Sequence, residues 1–401
     1  MRILWHSTAP KGPSSYSVLT ARVVPDLVRD KHEVIVSTWY GQQAVIDQVS
    51  VRPREDPKGK PIGGYVVLPA VSTNDYGVGQ LLASYRKTQA EVCITCMDLW
   101  VLPPALLQQM KVAAWLPVDH DPCPDAIAAS ARATIYPMAF SEWGQGVLLA
   151  AGVDAHYVPC SADSSVYMPM NKKHAREKIG IPADTDFLVS MVAANKDPND
   201  RKGFAEAIAG FGRFVRAGHP NARIYIHTTW AGPIDIHAMI ARQELENNIA
   251  MPDQWDYQHG AFKDDLMRLV YSASDVLLNP AKSEGFGLPL VESQMCGTPI
   301  ISTDFSTTRE LLSAGWYLEG QEDWSLGANS YRKRVYIDGV VEALEAAYAD
   351  RDNKALRKQA RAGVMKYDTK RVYEQHWRPA LKEIEAMVTG TATGKLQLVT
   401  F

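Results

Sequence analysis

Short apolar runs alternate with longer segments of helical period along most of the chain. A buried run of strand length followed by an amphipathic segment is the pattern of repeated βα units feeding a parallel sheet. The first half supplies strand candidates at 2–7, 33–38, 65–68, 91–96, 112–118, 133–140 and 156–159, with helix candidates at 16–29, 79–89, 101–110 and 142–151. A loop, PCSADSSVYMP (159–169), and a charged segment, NKKHAREKIG, which reads as a short solvated helix, separate these from a second series. Its strands are 187–194, 223–228, 275–279 and 299–303, and its helices lie near 203–217, 235–246, 264–273 and 288–296. The last third reads as helical, and RVYEQHWRPALKEIEAMV (371–388) is an amphipathic helix containing one proline. The expected fold is α/β, with two doubly wound Rossmann-like domains, at 1–160 and 161–370. Ligands of open α/β sheets lie beyond the carboxyl ends of the strands, so two such domains facing each other should bind substrates in the cleft between them.

Composition agrees with this and removes several function classes. A chain of 401 residues exceeds the size at which one hydrophobic core stops growing, so two domains are expected. Its 42 basic and 45 acidic residues are scattered without a long block of one sign, which makes nucleic acid an unsuitable partner. The most basic stretch, RPREDPKGK (52–60), is rich in proline and glycine and reads as an exposed loop. Five cysteines form no disulfide framework, and Cys93 and Cys96, a CxxC inside the apolar run EVCITCM, read as buried strand thiols. DTD (184–186) sits in a polar turn before a core strand and reads as that turn, not as a metal motif. The chain opens directly on strand-like RILWHS, without a secretory leader, and no apolar run is long enough to span a bilayer. A cytoplasmic protein is expected, and peripheral membrane contact remains compatible with that pattern.

The most informative stretch is DVLLNPAKSEGFGLPLVESQMCGTPIIST, residues 275–303. A buried strand ends at Asn279-Pro280, a glycine-punctuated loop follows, and Pro289 falls where the first turn of a helix tolerates a missing N–H. Gly285 and Gly287 let the backbone approach a ligand, and the free N–H groups from Gly285 through Phe286 and Gly287 to Leu288 form an anion site suited to a diphosphate. Glu284 and Glu292 bracket that site. Carboxylates accept hydrogen bonds and sugar hydroxyls donate them, so Glu284 is assigned to the transferred sugar and Glu292 to the ribose.

EGFGLPLVE, with the preceding SASDVLLNP and the following CGTPIIS, resembles the donor-site signature of the retaining glycosyltransferases of family 4, which have the GT-B fold. The resemblance implies a metal-independent transferase without a bound cofactor. Its co-substrate would be a UDP- or GDP-sugar and its acceptor a glycan, a lipid-linked molecule or a small molecule. The GT-B fold further implies that the C-terminal helix, 371–390, crosses back to the N-terminal domain. In that family two basic residues after the first strand of the second domain neutralise the donor diphosphate. In NKDPNDRKGF (195–204), Lys202 precedes Gly203 as the family's lysine does, Lys196 falls where arginine is usual, and Arg201 can substitute. AAWLPVDHDPCP (113–124) ends a strand candidate with Asp119, His120 and Asp121, and His120 resembles the family's histidine that touches the donor sugar across the cleft. Gly12 and Ser14 to Tyr16 resemble the family's glycine loop after the first strand, although Gly12-Pro13 replaces the usual pair of glycines. Glu310 resembles a glutamate commonly found near the base or ribose.

Other classes fit less well. A dinucleotide oxidoreductase needs GxGxxG after the first strand, and that loop holds only Gly12. A sugar-nucleotide epimerase of the same fold, or a nucleotide-binding protein without catalysis, would share the donor site and differ in lacking acceptor chemistry.

Overall fold

The run RILWHS becomes β1 (Arg2–Ser7), buried beyond its first residue because neighbouring strands flank it and layers cover both its faces. A computed structural model describes residues 1–41, 45–72 and 75–391. With β2 (Glu33–Thr38), β3 (Asp47–Val51), β4 (Gly63–Leu68), β5 (Val92–Cys96), β6 (Val112–Leu116), β7 (Tyr136–Ala139) and β8 (His156–Tyr157) it forms an eight-stranded sheet in the order β3-β4-β2-β1-β5-β6-β7-β8. All neighbours are parallel except β3, which runs antiparallel to β4.

A second, wholly parallel sheet holds β9 (Phe187–Val192), β10 (Ala222–His227), β11 (Ile249–Ala250), β12 (Val276–Asn279), β13 (Ile300–Thr303) and β14 (Gly315–Leu318), in the order β11-β10-β9-β12-β13-β14. The carboxyl ends of the two sheets face one another, which is the GT-B arrangement. One apolar cluster joins them, running from Trp5 and Trp115 through Phe286, Leu290 and Val291 to Tyr367 and Trp377.

The structure departs from the periodicity in several places. The strand β3, DQVSV, alternates in and out at a sheet edge and carries too little apolar signal to be recognised. The last third is not helical throughout: β14 is followed by a hairpin, β15 (Gly320–Ser325) and β16 (Ser330–Val335), before helices Ile337–Ala349 and Lys354–Val364. Its strands are mostly polar, so nothing in the hydrophobic pattern announces them. The candidate at 101–110 shrinks to a turn at Leu99–Val101 and a short helix at Pro104–Leu107, because Pro103 and Pro104 supply no N–H groups. The helix Asp125–Arg132 went unforeseen.

The C-terminal helix returns to the first sheet as the fold requires. It begins at Thr369–Val372, widens into a π turn at Tyr373–Trp377 and continues over Arg378–Thr389. Pro379 lacks the N–H that would close a regular helical bond, and the wider turn absorbs that loss. Trp377 packs against Trp115 and Trp5 at ring-centroid distances of 4.8 and 5.8 Å. Arg378 grips Asp30 through two hydrogen bonds of 2.8 Å, and the Tyr136 hydroxyl donates to Glu383.

Candidate active site

Two turns place the central pair of charges. After β9 the loop ends at Gly203, whose left-handed φ of 71° and close approach to the Pro280 carbonyl leave no room for a Cβ. Asp200 caps the helix Phe204–Arg216 that follows, accepting from the N–H groups of Phe204 and Ala205 at 2.9 Å. The turn so fixed delivers Lys202 to the end of β12, where Glu284 begins the glycine loop.

Lys202 Nζ donates to both oxygens of Glu284, at 2.7 and 2.8 Å, and Asn279 adds a bond of 3.3 Å. Burial works against the Glu284 carboxylate, but the Lys202 and Arg201 charges outweigh it and hold the group below the ordinary glutamate range. Burial pushes Lys202 down, with Arg201 adding to that, while Glu284 opposes both.

The network continues into the other domain. Arg201 donates to the Ser283 carbonyl at 2.8 Å and lies 3.6 Å from Asp119, beyond the end of β6. Asp119 and His120 Nδ1 are 2.6 Å apart. With the proton on Nδ1, His120 Nε2 is left as an acceptor, and it is buried without a partner among the described residues. Burial would raise the Asp119 carboxyl, yet the His120 hydrogen bond and the Arg201 charge hold it far below the ordinary range. Asp98, directly after β5, accepts from the Tyr16 hydroxyl at 2.8 Å. The residue keeps contact with solvent on the cleft floor, but desolvation of its carboxyl, with the Asp119 charge adding, raises it, opposed by the Tyr16 bond and by Arg201.

The glycine loop is built tightly. Ser306 and Thr307, beyond β13, hold it: Ser306 accepts from the Glu284 N–H, and Thr307 donates to the Glu284 and Phe286 carbonyls. Gly287 starts the helix Leu288–Met295 in the left-handed region, at φ 96°. A Cβ on Gly285 would sit 2.4 Å from Pro117 of the facing domain, so this glycine permits a close approach between domains. Gly285, Phe286, Gly287 and Leu288 donate no N–H to a backbone acceptor outside the regular elements, while the side chains of Phe286 and Leu288 belong to the core.

The β15–β16 hairpin reaches across the cleft. Tyr331 exchanges backbone hydrogen bonds with Asp121, at 2.9 and 3.3 Å, and Ser330 Oγ donates to the Pro122 carbonyl. The loop carrying Asp119 and His120 is thereby tied to the second domain. Among the described residues no group of His, Cys, Asp and Glu side chains could hold a metal ion, and no helix is long and apolar enough to cross a membrane.

The family profile described as "Glycosyl transferases group 1" matches residues 172–326, the segment that carries Lys202, Glu284 and Glu292. A D-inositol 3-phosphate glycosyltransferase of Segniliparus rotundus is 30% identical over 149 residues, covering 36% of this chain and 30% of that protein. The phosphatidylinositol N-acetylglucosaminyltransferase gpi3 subunit of Schizosaccharomyces pombe is 31% identical over 130 residues, covering 32% and 26%. The chain thus spans less than a third of the length of either relative. Sucrose-phosphate synthase from Thermosynechococcus elongatus superposes over 96% of this chain and 100% of that one, with TM-score 0.71 at 13% identity, which establishes the shared fold. Anabaena Alr3699/HepE in complex with UDP-glucose gives TM-score 0.67 at 14% identity over 95% and 100%. The whole chain thus has the GT-B fold, and its residues 172–326 match the glycosyl transferases group 1 family.

Within this glycosyltransferase fold the expected positions separate into groups. Lys202, Arg201, Glu284 and His120 meet in one network spanning both domains. Lys196 stands apart, its ammonium 5.8 Å from the ring centroid of Tyr40 on the facing domain. Gly12 backs onto Gly41 beside that tyrosine. Glu292 lies elsewhere: its carboxylate accepts from Arg22 of the first domain at 2.8 Å and from the Tyr271 hydroxyl at 3.0 Å.

Glu310 accepts the Trp143 N–H at the start of helix Glu142–Ala150, across the domain boundary, and its other oxygen is buried without a partner among the described residues. Burial raises its carboxyl from 4.5 to about 7. A raised pKa means the folded state favours the protonated form, so Glu310's contribution is complete below about pH 4.5 and is lost as pH rises through about 7. Glu310→Gln should therefore leave stability unchanged at pH 4.5 and raise it by roughly 1–3 kcal/mol at pH 8. Urea unfolding of both proteins at the two pH values checks this; an equal difference at both would contradict it.

Asp98 and Arg22 were missed by sequence reasoning. Asp98 was within reach of the rule that singled out Asp119 and His120, since it too directly follows a strand of the parallel sheet. Arg22 gives no local signal at all.

Proposed function

We propose that the chain transfers a hexose-type sugar from a UDP- or GDP-sugar to an acceptor hydroxyl with retention of configuration. Residues 161–370 would form the donor side, and residues 1–160 with helix 371–390 the acceptor side. The observation that carries this reading is the chain of alternating charges Lys202, Glu284, Arg201 and Asp119 across the cleft, ending on the His120 ring, next to N–H groups left without a backbone acceptor.

The roles follow from charge. A diphosphate brings negative charge to Lys202, Arg201 and the Gly285–Leu288 N–H groups, which stabilise it further as the glycosidic bond breaks. Glu284 and the unpartnered His120 Nε2 face the hydroxyls of the transferred sugar. Lys196 would reach the diphosphate only by leaving the Tyr40 ring, so its share is smaller than that of Lys202. In a retaining transfer of this kind no enzyme carboxylate bonds to the sugar, and a donor phosphate oxygen takes the acceptor proton. A glycan, a lipid-linked molecule or a small molecule would serve as acceptor, and the work would take place in the cytoplasm.

A panel of UDP-, GDP- and ADP-sugars, scored by thermal shift and by release of free nucleoside diphosphate, tests the donor class. Proton NMR of the product then decides stereochemistry. An α-linked donor should give an α-linked product, and an inverted product would sink the mechanism.

A further inference from the structure

In the segments that follow β2, β4 and β5, four aromatic side chains of the first domain stand in a row. Trp39 lies between Tyr40 and Tyr76, at centroid distances of 6.1 and 5.1 Å, and Tyr76 meets Trp100 at 6.1 Å. The donor diphosphate and sugar, as placed above, do not use them. Tyr40, Tyr76 and Trp100 are at least a third exposed, and Trp100 reaches 55%. Scattered surface aromatics are ordinary, whereas a connected row on the ligand-binding edge of a parallel sheet is not.

Tyr76 is held there at a cost. Its φ of 55° is unfavourable for a bulky side chain, and Gly77 follows at 76°. The support underneath is specific. His6 is fully buried, which lowers its pKa to about 4 and keeps the ring neutral. A neutral ring with Nε2 3.0 Å from the Tyr76 carbonyl carries its proton on Nε2 and donates it there, and Nδ1 accepts from the Ser37 hydroxyl at 3.2 Å. A Cβ on Gly77 would stand 2.6 Å from that ring, so only glycine allows the contact. A strained backbone pinned by a buried histidine serves to aim the Tyr76 ring.

Both ends of the row lead into the cleft. Tyr40 lies under Lys196 of the donor domain, and Trp100 follows two residues after Asp98 on the cleft floor. A pyranose ring has an apolar face of C–H groups and a rim of hydroxyls. Aromatic rings cover the first, and Asp98 and Lys196 stand where they can bond the second.

We infer that Trp39, Tyr40, Tyr76 and Trp100 form the acceptor subsite, and that its occupant is a neutral saccharide of more than one ring, stacked along the row with its reactive hydroxyl towards Asp98. The inference rests on the glycosyltransferase reading above. A single-ring anionic acceptor such as an inositol phosphate would leave most of the row uncovered and would meet the Asp98 carboxylate unfavourably.

The test uses the full chain, saturated with UDP, titrated calorimetrically with neutral di-, tri- and tetrasaccharides and with inositol 3-phosphate. At least one oligosaccharide should bind more tightly than inositol 3-phosphate. Trp100→Ala and Tyr40→Ala should each weaken it roughly tenfold, as expected for the loss of one stacked ring, while Trp100→Ala leaves UDP affinity unchanged. Tyr40→Phe should retain the oligosaccharide, since the face and not the hydroxyl is used. The inference is overturned if no oligosaccharide binds, if binding survives both alanine changes, or if the row instead governs binding to phosphatidylglycerol vesicles. A wild-type chain that fails to bind any nucleoside diphosphate would refute the parent reading, a result distinct from these.

Discussion

Glu284→Ala should lower turnover by on the order of 10²–10³-fold with the correct donor while leaving the affinity for free UDP or GDP near wild type or slightly higher. The asymmetry comes from the Lys202 contact. Glu284 is the anion nearest Lys202, at 2.7 Å, and it also lies 3.9 Å from Arg201. Removing it leaves two crowded cations that a diphosphate can satisfy, so ground-state nucleotide binding loses nothing. The sugar, however, loses its acceptor as positive charge develops at the anomeric carbon. Glu284→Gln keeps the shape and one acceptor oxygen but no charge, and should fall between the two. Lys202→Ala should damage nucleotide affinity and turnover together. Turnover that survives Glu284→Ala, in a protein whose near-ultraviolet circular dichroism is unchanged, would refute the sugar-site assignment.

The parts of this site that the sequence made legible are those where one short segment dictates both conformation and chemistry. The strand ending at Asn279, the left-handed glycine at 287 and the proline in the first helical turn specify the glycine loop locally, and the structure contains them at those positions. Asp200 and Gly203 likewise fix the turn that carries Lys202. The glycine at 285 is required for a different reason from the one its motif suggests. It spares a clash with Pro117 on the other domain, and no local pattern encodes a contact between residues so far apart in the chain. The same limit hid the hairpin Gly320–Val335: its strands are mostly polar because they pair with each other and with Asp121 rather than line a core. The aromatic row draws its members from three separate loops, after β2, β4 and β5, so it exists only once those strands are assembled in one sheet.

Glu292 shows the largest gap between motif and structure, and it gives the second large effect. Placed by its motif at the donor ribose, it is 7% exposed and bonds Arg22, which also donates to the Ser161 carbonyl and lies 3.5 Å from Asp264. Glu292→Ala should therefore unfold at markedly lower denaturant, with a loss of roughly 3–5 kcal/mol, because it leaves a guanidinium in the interior with only a partial counter-charge. Arg22→Met should cost a comparable amount by stranding the carboxylate. The double change Arg22→Met/Glu292→Leu removes both charges and should recover most of the loss. Nucleotide binding then separates latch from ligand contact. If Glu292 also accepts from the ribose, as its free lone pairs allow, Arg22→Met should bind UDP at least as well as wild type in conditions where it is folded. The double variant should lose roughly 1–3 kcal/mol of that affinity. A folded double variant that binds UDP like wild type would make Glu292 a clasp between the domains and assign the ribose to other groups.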